Sequence, residues 1–254
     1  MAHVNRPSAM QTMLRVLSSD LSCGETDLTT DGVCIRIDEH REGRFRFPIR
    51  ERSLKIVTMG RGVVVSCSPD RVEWAVQNLG TLTRDQVFSA ETVARIQDYI
   101  RTDNQMLEGP VQKFVCTLQE LKAFAVPPGM TLSIFRQEKM ASLYGMASDF
   151  PHALSGHPNV SRPDMLAVVA ADGGKVVGIA GASADCELMW QVGVDVLPEY
   201  QGMGIGKAIV GTLTRAVLDE GVLPYYSTAV SNLQSRQLAT RLGYWPAWIE
   251  LYTR

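Results

Sequence analysis

The sequence predicts an α/β (α+β) fold in two parts: a smaller α/β domain over residues 1–126, and a mixed, twisted sheet with helices over residues 130–254. Three observations predict it. Short β-branched runs of alternating polarity are interleaved with segments whose apolar residues recur every three or four positions, so strands and helices are interspersed. The stretch Val126-Pro127-Pro128-Gly129 breaks both periods, because a helix interior and a central strand each reject consecutive prolines. The third is Trp190 to Ala208, W-Q-V-G-V-D-V-L-P-E-Y-Q-G-M-G-I-G-K-A, in which an apolar strand runs through a glycine-rich turn into a helix.

In the N-terminal part, Ser8 to Leu21 has helical spacing in Met13, Leu14, Leu17 and Leu21, with Ser8 and Gln11 as a capping box. Cys23 to Gly32 is polar and reads as a loop. Val33, Ile35 and Ile37 alternate with Cys34 and Arg36, and Phe45 and Phe47 with Arg44 and Arg46, so both predict half-buried strands. Leu54 to Thr58 and Val63 to Cys67 predict two more strands about the turn Gly60-Arg61-Gly62. Pro69 stands at the first position of a helix carrying Val72, Ala75, Val76 and Leu79. A second helix runs from Ser89 to Arg101 over Val93, Ile96 and Ile100. Val111 to Cys116 predicts a strand, and Thr117 with Glu120 a capping box for a short helix holding Leu118 and Leu121. No motif attaches chemistry to this part. Packing, substrate shaping or dimerisation are the roles open to it, and the last makes a homodimer one of the expected partners.

In the C-terminal part, Thr131 to Phe135 predicts a strand and Gln137 to Met146 a helix with Met140, Leu143 and Tyr144 on one face. Phe150 to Arg162 is irregular and holds His152 and His157. Met165 to Ala170 and Val176 to Ser183 are strands about Asp172-Gly173-Gly174, a hairpin signal. After the strand at Trp190, Pro198 ends the ladder and a helix runs from Lys207 to Glu220, stopped by Gly221. Tyr226 to Val230 is the next strand. Ser231 and Asn232 are caps for a helix through Leu233, Leu238 and Leu242 that stops at Gly243, and Trp248 to Tyr252 is the last strand.

Composition bounds the function. With 254 residues, 45% hydrophobic and 20% charged, the chain has material for a globular core, and a formal net charge of −2 gives no electrostatic case for nucleic acid or a membrane surface as partner. No apolar run approaches the about 18 residues of a membrane span, and residues 1–30 lack a signal-peptide core. Cys23, Cys34, Cys67, Cys116 and Cys186 form no C-x-x-C pair. They predict reduced thiols and a cytoplasmic location, with no disulfide framework and no metal site.

The glycine turn carries the chemistry. Glycine admits a ligand close to the backbone, and the unpaired N–H groups of a first helical turn, at the positive end of the helix dipole, bind phosphate oxygens. Spacing decides among phosphate binders. Only three residues separate Gly202 from Gly206, and Ala208 follows Lys207 where a P-loop needs Ser or Thr; a dinucleotide fingerprint would need its third glycine one residue later. What fits is Gln/Arg-x-x-Gly-x-Gly/Ala, as Gln201, Gly204 and Gly206.

That pattern resembles the acyl-CoA-binding motif of the GNAT superfamily of N-acetyltransferases. The order of elements over residues 130–254 is similar to the GNAT core, and Asn232 followed by Leu242-Gly243-Tyr244 resembles the family's Asn…Leu-Gly-Phe/Tyr ending. The resemblance, to a branch with an additional N-terminal domain, implies a GNAT acyl-CoA N-acyltransferase fold and acetyl-CoA as cosubstrate. It implies that the strand before the turn splays from the next and that the pantetheine arm lies in the gap. Backbone groups of Val194 and Val196 would meet that arm, with the Val194 N–H polarising the thioester carbonyl. Gln201, Gly202, Met203, Gly204, Ile205, Gly206 and Lys207 would hold the pyrophosphate, and Asn232 would touch the arm. The activity implied is acetyl transfer to an amine of a small molecule by direct attack in a ternary complex. The alternative is a catalytically weak, GNAT-like acyl-CoA-binding or sensor module.

The catalytic pair is harder to read. The carboxylate many relatives place on the central strand would fall at Trp190, and the tyrosine they place in the last helix at Ala239. Glu187, at the head of the central strand beside Leu188, Met189 and Trp190, is the expected base, its pKa raised by partial desolvation. Asp185 and His152 are the other base candidates. Tyr226 is the expected partner of the leaving thiolate, with Tyr225 and Ser227 as alternatives. Asp195 reads as a structural hydrogen-bonding residue and Cys186 as a buried thiol.

Overall fold

The computed structural model describes residues 5–47 and 53–254. In chain order the elements are α1 (Arg6–Asp20), α2 (Glu25–Thr29), β1 (Gly32–Ile37), β2 (Leu54–Thr58), β3 (Gly62–Cys67), α3 (Val72–Leu79), α4 (Arg84–Val87), α5 (Ala90–Arg101) and β4 (Leu107–Val115). They continue with β5 (Met130–Arg136), β6 (Asp164–Asp172), β7 (Lys175–Ser183), β8 (Met189–Val196), α6 (Ile205–Asp219), β9 (Leu223–Ala229), α7 (Leu233–Leu242) and β10 (Trp245–Thr253). The strands and helices alternate as the two hydrophobic periods require, giving an α/β fold.

The chain divides into two compact units. One comprises residues 10–113 with 228–231 and 247–254; the other comprises 114–227 and 232–246 together with the described residues through Ala9. The division therefore falls at 113/114, with two later returns, and not as the single break expected at 126–130. The last strand, expected with the C-terminal part, contributes residues 247–253 to the first unit.

In the first unit the strands are ordered β1-β3-β2-β10-β4. β2 and β3 are antiparallel through Ile56↔Val65, β1 lies parallel to β3, and β10 is antiparallel to β2. Both strands of the β2–β3 hairpin are buried throughout. One face, Leu54, Ile56, Val63 and Val65, packs against Ala75 and Leu79 of α3 and Ile96 and Ile100 of α5. Two elements here depart from expectation. Cys23 to Gly32 holds α2, with Leu28 buried. The segment around Phe45 and Phe47 is not a strand: the Phe45 ring is buried, stacks on Trp248 with centroids 6.4 Å apart, and accepts the Lys55 ammonium on its face. Alternation there reflects an aromatic anchor, not a ladder.

In the second unit the order is β9-β8-β7-β6-β5. β5 to β8 are antiparallel neighbours, and β8 and β9 are parallel. The long amphipathic α6 buries Ile205, Ile209, Leu213 and Val217 on one face of this sheet, against Val168, Ala180 and Val192. The other face is covered by Met140, Leu143, Phe150, Ala153 and Leu154. The helix expected over Gln137 to Met146 is instead two 3₁₀ segments, Gln137–Ser142 and Tyr144–Met146. Thr117 and Glu120 do meet, with Oγ1 donating to Oε2 at 2.8 Å, but they close a turn and no helix follows.

Candidate functional site

The site begins where β8 and β9 part. Their parallel pairing runs from Met189↔Leu223 to Val192↔Tyr226 and stops, although β8 continues to Val196. β8 remains paired with β7 through Gly178↔Val196, and the Leu197 N–H donates to the Val177 carbonyl at 2.9 Å. In an antiparallel ladder the backbone groups of successive residues point to opposite sides. Leu197, Asp195 and Gly193 therefore turn theirs toward β7. Val194 and Val196 turn theirs away from it, toward the side that β9 has vacated. The Val196 carbonyl there accepts from Gln201 Nε2 at 3.2 Å.

At the end of β8 the chain passes through residues Pro198–Tyr200 into the glycine turn. Gly202 and Gly204 have φ of +79° and +88°, the left-handed region that any side chain enters at a cost, so both positions call for glycine. α6 starts at Ile205, two residues before the expected Lys207, with Gly204 as its N-cap. Among the described residues, nothing accepts from the N–H groups of Gly202 through Lys207. Six neighbouring donors at a helix N-terminus, with no side chain filling the turn, fit a pyrophosphate.

A cleft of about 400 Å³ opens beside them. Val194, Val196, Gln201, Gly202, Gly204, Ile205, Gly206 and Lys207 line it, which brings together most of the expected cosubstrate residues. Met203, although exposed, and Asn232 are not among the lining residues. Asn232 is the N-cap of α7, its side chain accepting from the Ser235 N–H at 3.0 Å. The opposite wall, unforeseen, is the exposed side of α7: Gln234, Ser235, Gln237, Leu238 and Arg241. Their three-to-four spacing after Asn232 was the available signal. Lys207 lies with its ammonium 5.1 Å from the centre of the Phe124 ring.

A second cleft, of about 250 Å³, lies over the other face of β7 and β8. Its walls include His152, Ser155, Asn159 and Arg162 from the irregular segment Phe150 to Arg162, with Ser183, Gln191 and Gly193 from the strands. Gly181 and Gly193 are register partners, and the loop crosses directly over them. Asp195 ties it down: Oδ2 accepts from the N–H groups of His152 at 2.7 Å and Ala153 at 2.9 Å, and Oδ1 lies 2.6 Å from His152 Nδ1. This matches the structural role expected for Asp195.

The titratable candidates fall apart. Asp185 is fully buried and accepts from Arg162 Nε at 2.8 Å, Ser183 Oγ at 3.0 Å and the Tyr225 hydroxyl. It is committed to holding Arg162 and Tyr225, and the Tyr225 hydroxyl also meets Gln191 Oε1 at 3.0 Å. Glu187 does not have the desolvated setting expected of it: the side chain is exposed in the bend before β8 and lines neither cleft. The reason is that the apolar neighbours Met189 and Trp190 turn into the core, away from it. Tyr226 is buried at the last β8–β9 pair, edge-on to Tyr244 with centroids 6.1 Å apart. Burial pushes its phenol up, a hydrogen bond with the Ser235 side chain opposes this, and the Asp195 charge adds to the rise. Trp190 and Ala239, where the resemblance would put an acid/base pair, are core residues, and the buried Cys186 thiol donates to the Met189 carbonyl at 3.8 Å. No cluster of three metal-ligating side chains occurs among the described residues, and no helix there is long and apolar enough to cross a membrane.

Residues 133–244 match the family model described as acetyltransferase (GNAT) family. No curated protein matches the sequence. The solved structures this chain matches include a GCN5-related N-acetyltransferase-like protein from Streptococcus suis, 18% identical, covering 65% of this chain and 68% of its own, with a TM-score of 0.45. A GCN5-related N-acetyltransferase from Kribbella flavida is 19% identical over 61% of this chain and 62% of its own, with a TM-score of 0.45. A Drosophila protein is 15% identical over 98% of this chain and 90% of its own, with a TM-score of 0.46.

Proposed function

We propose that the protein moves the acetyl group of acetyl-CoA to an amine of a small molecule by direct transfer in a ternary complex. The observation that carries this reading is the unpaired side of β8 at Val194 and Val196, continuous with the unsatisfied N–H groups of the glycine turn. A pantetheine arm offers amides to an open strand edge, and a pyrophosphate offers oxygens to the turn, so one ligand answers both. When bound, acetyl-CoA supplies an activated thioester. In this reading the Val194 N–H polarises its carbonyl, and Tyr226, kept protonated by burial, gives a proton to the leaving thiolate. Glu187 retains a base role only through water, since it lines neither cleft. The free cysteines support a reducing, cytoplasmic setting.

The core positions of Trp190 and Ala239 favour a second reading, an acyl-CoA-binding module without turnover. The test is calorimetric titration with acetyl-CoA followed by CoA release over a broad panel of small amines. Binding with turnover supports the transferase; binding without release for any amine leaves the binding module. An absence of binding refutes both.

A further inference from the structure

We propose that His152, oriented by Asp195, is the general base that deprotonates the acceptor ammonium; this rests on the acetyltransferase reading above. The two residues stand 43 positions apart, yet the loop brings His152 Nδ1 to 2.6 Å from Asp195 Oδ1. Asp195 is itself fixed, because its other oxygen accepts two backbone N–H groups and only 15% of its side chain is exposed. A carboxylate facing Nδ1 selects the tautomer that donates from Nδ1 and leaves the Nε2 lone pair outward. Among the described residues Nε2 has no partner, and the ring is 79% exposed on the wall of the second cleft. That is the arrangement a proton acceptor for an arriving ligand needs.

Its place in the fold points the same way. Asp195 lies between Val194 and Val196 on the stretch of β8 that β9 has left, and its charge is felt by Tyr226. The His152 carbonyl rests over Gly193, where no side chain intervenes. The imidazole is thereby held on one face of β8 while Val194 and Val196 line the cosubstrate cleft on the other. Asp185, the competing carboxylate, is enclosed by Arg162, Ser183 and Tyr225. The other charged or titratable groups around the imidazole's cleft are Asp164 from β6 and His157 and Arg162 from the loop, with Arg162 paired to Asp185.

The step balances as follows. His152 Nε2 takes one proton from R–NH3⁺ and becomes imidazolium, which later releases that proton to water. The freed nitrogen pair forms a bond to the thioester carbon, the C–S bond breaks, and sulfur leaves with its electron pair. The second nitrogen proton passes to water as the amide forms, and the thiolate takes the Tyr226 hydroxyl proton, which water then replaces. Asp195 is a positioning residue and exchanges no proton with the substrate.

The test uses the full chain and an amine that the wild-type protein acetylates. His152→Asn keeps a donor toward Asp195 and removes the outward base. Its single-turnover rate is expected to fall about 100-fold or more, with the acidic limb of the pH profile lost and acetyl-CoA affinity unchanged. In His152→Ala, added imidazole is expected to restore rate in proportion to its concentration, which a purely structural histidine would not allow at so exposed a site. Asp195→Asn is expected to lower kcat at unchanged acetyl-CoA affinity. A folded His152→Asn variant with near wild-type rate and an unchanged acidic limb overturns the base assignment while leaving the transferase reading intact. A wild-type protein that binds acetyl-CoA but acetylates no amine overturns the transferase reading, and the base assignment with it.

Discussion

Replacing Gly193 by alanine tests whether the His152 loop sits where it does because two strand residues lack side chains. A Cβ at this position would lie 1.8 Å from the His152 carbonyl oxygen and 2.8 Å from its carbonyl carbon, against 3.4 Å or more in ordinary contact. Backbone cannot rotate out of the way, so loop or strand must retreat by about 1.6 Å, the difference between 3.4 and 1.8 Å. The N–H groups of His152 and Ala153 now reach Asp195 over 2.7 and 2.9 Å, and a retreat of that size breaks both bonds. Hydrogen bonds to a charged group contribute about 1.5–3 kcal/mol each, but water would reach the released carboxylate and return part of this. About 2–3 kcal/mol of lost stability is expected, within the range for overpacked sites. At about 2–4 °C per kcal/mol for a chain of this size, the midpoint of thermal unfolding should drop by about 4–12 °C. Turnover should fall about 100-fold at unchanged acetyl-CoA affinity, the penalty typical of an about 1 Å misplacement. Gly145→Ala is the control: it meets open space at a backbone conformation that any residue adopts. A Gly193→Ala protein within about 0.5 kcal/mol of wild type, with unchanged turnover, would refute the seating of the loop on β8.

Gly204→Val places a β-branched residue at φ +88° in the turn and is expected to weaken acetyl-CoA binding at least about tenfold, about 1.4 kcal/mol, by calorimetry; an unchanged dissociation constant removes the phosphate cradle. Tyr226→Phe should lower the rate at saturating substrates. Because burial raises the phenol above its usual pKa of about 10, it stays protonated through neutral pH, and the wild-type profile should show no basic limb from it below that value. Asp185→Asn leaves Arg162 without its buried carboxylate and should cost about 3–5 kcal/mol in urea unfolding; a loss under about 1 kcal/mol contradicts the network. Burial pushes the Cys116 thiol up to about 12 and those of Cys23 and Cys67 up to about 11, so at pH 8 these three should label slowly in the native protein and fast after denaturation.

Local information was legible where a short segment determines its own chemistry. The glycine turn could be read because left-handed backbone at Gly202 and Gly204 and unpaired N–H groups at a helix start depend on adjacent residues alone. The β2–β3 hairpin and α6 followed from periodicity for the same reason. Phe45 and Phe47 show where alternation misleads: what holds Phe45 is Trp248, remote in sequence, and Lys55, so no local pattern could separate an anchored aromatic from a strand. Glu187 was expected to be desolvated by its neighbours, but proximity in sequence does not decide which way apolar side chains turn, and the core took Met189 and Trp190 while Glu187 remained exposed. The pairing of Asp195 with His152 depended wholly on tertiary structure. It needs a glycine on β8 to let the loop approach and a carboxylate two residues later to hold it, both meeting a segment remote along the chain, 43 positions from the carboxylate. The sequence by itself determined the β2–β3 hairpin, α6 and the glycine turn, since those energies are local. Only the folded chain decided which titratable groups face the clefts, because burial and charge pairing are set by residues distant along the chain.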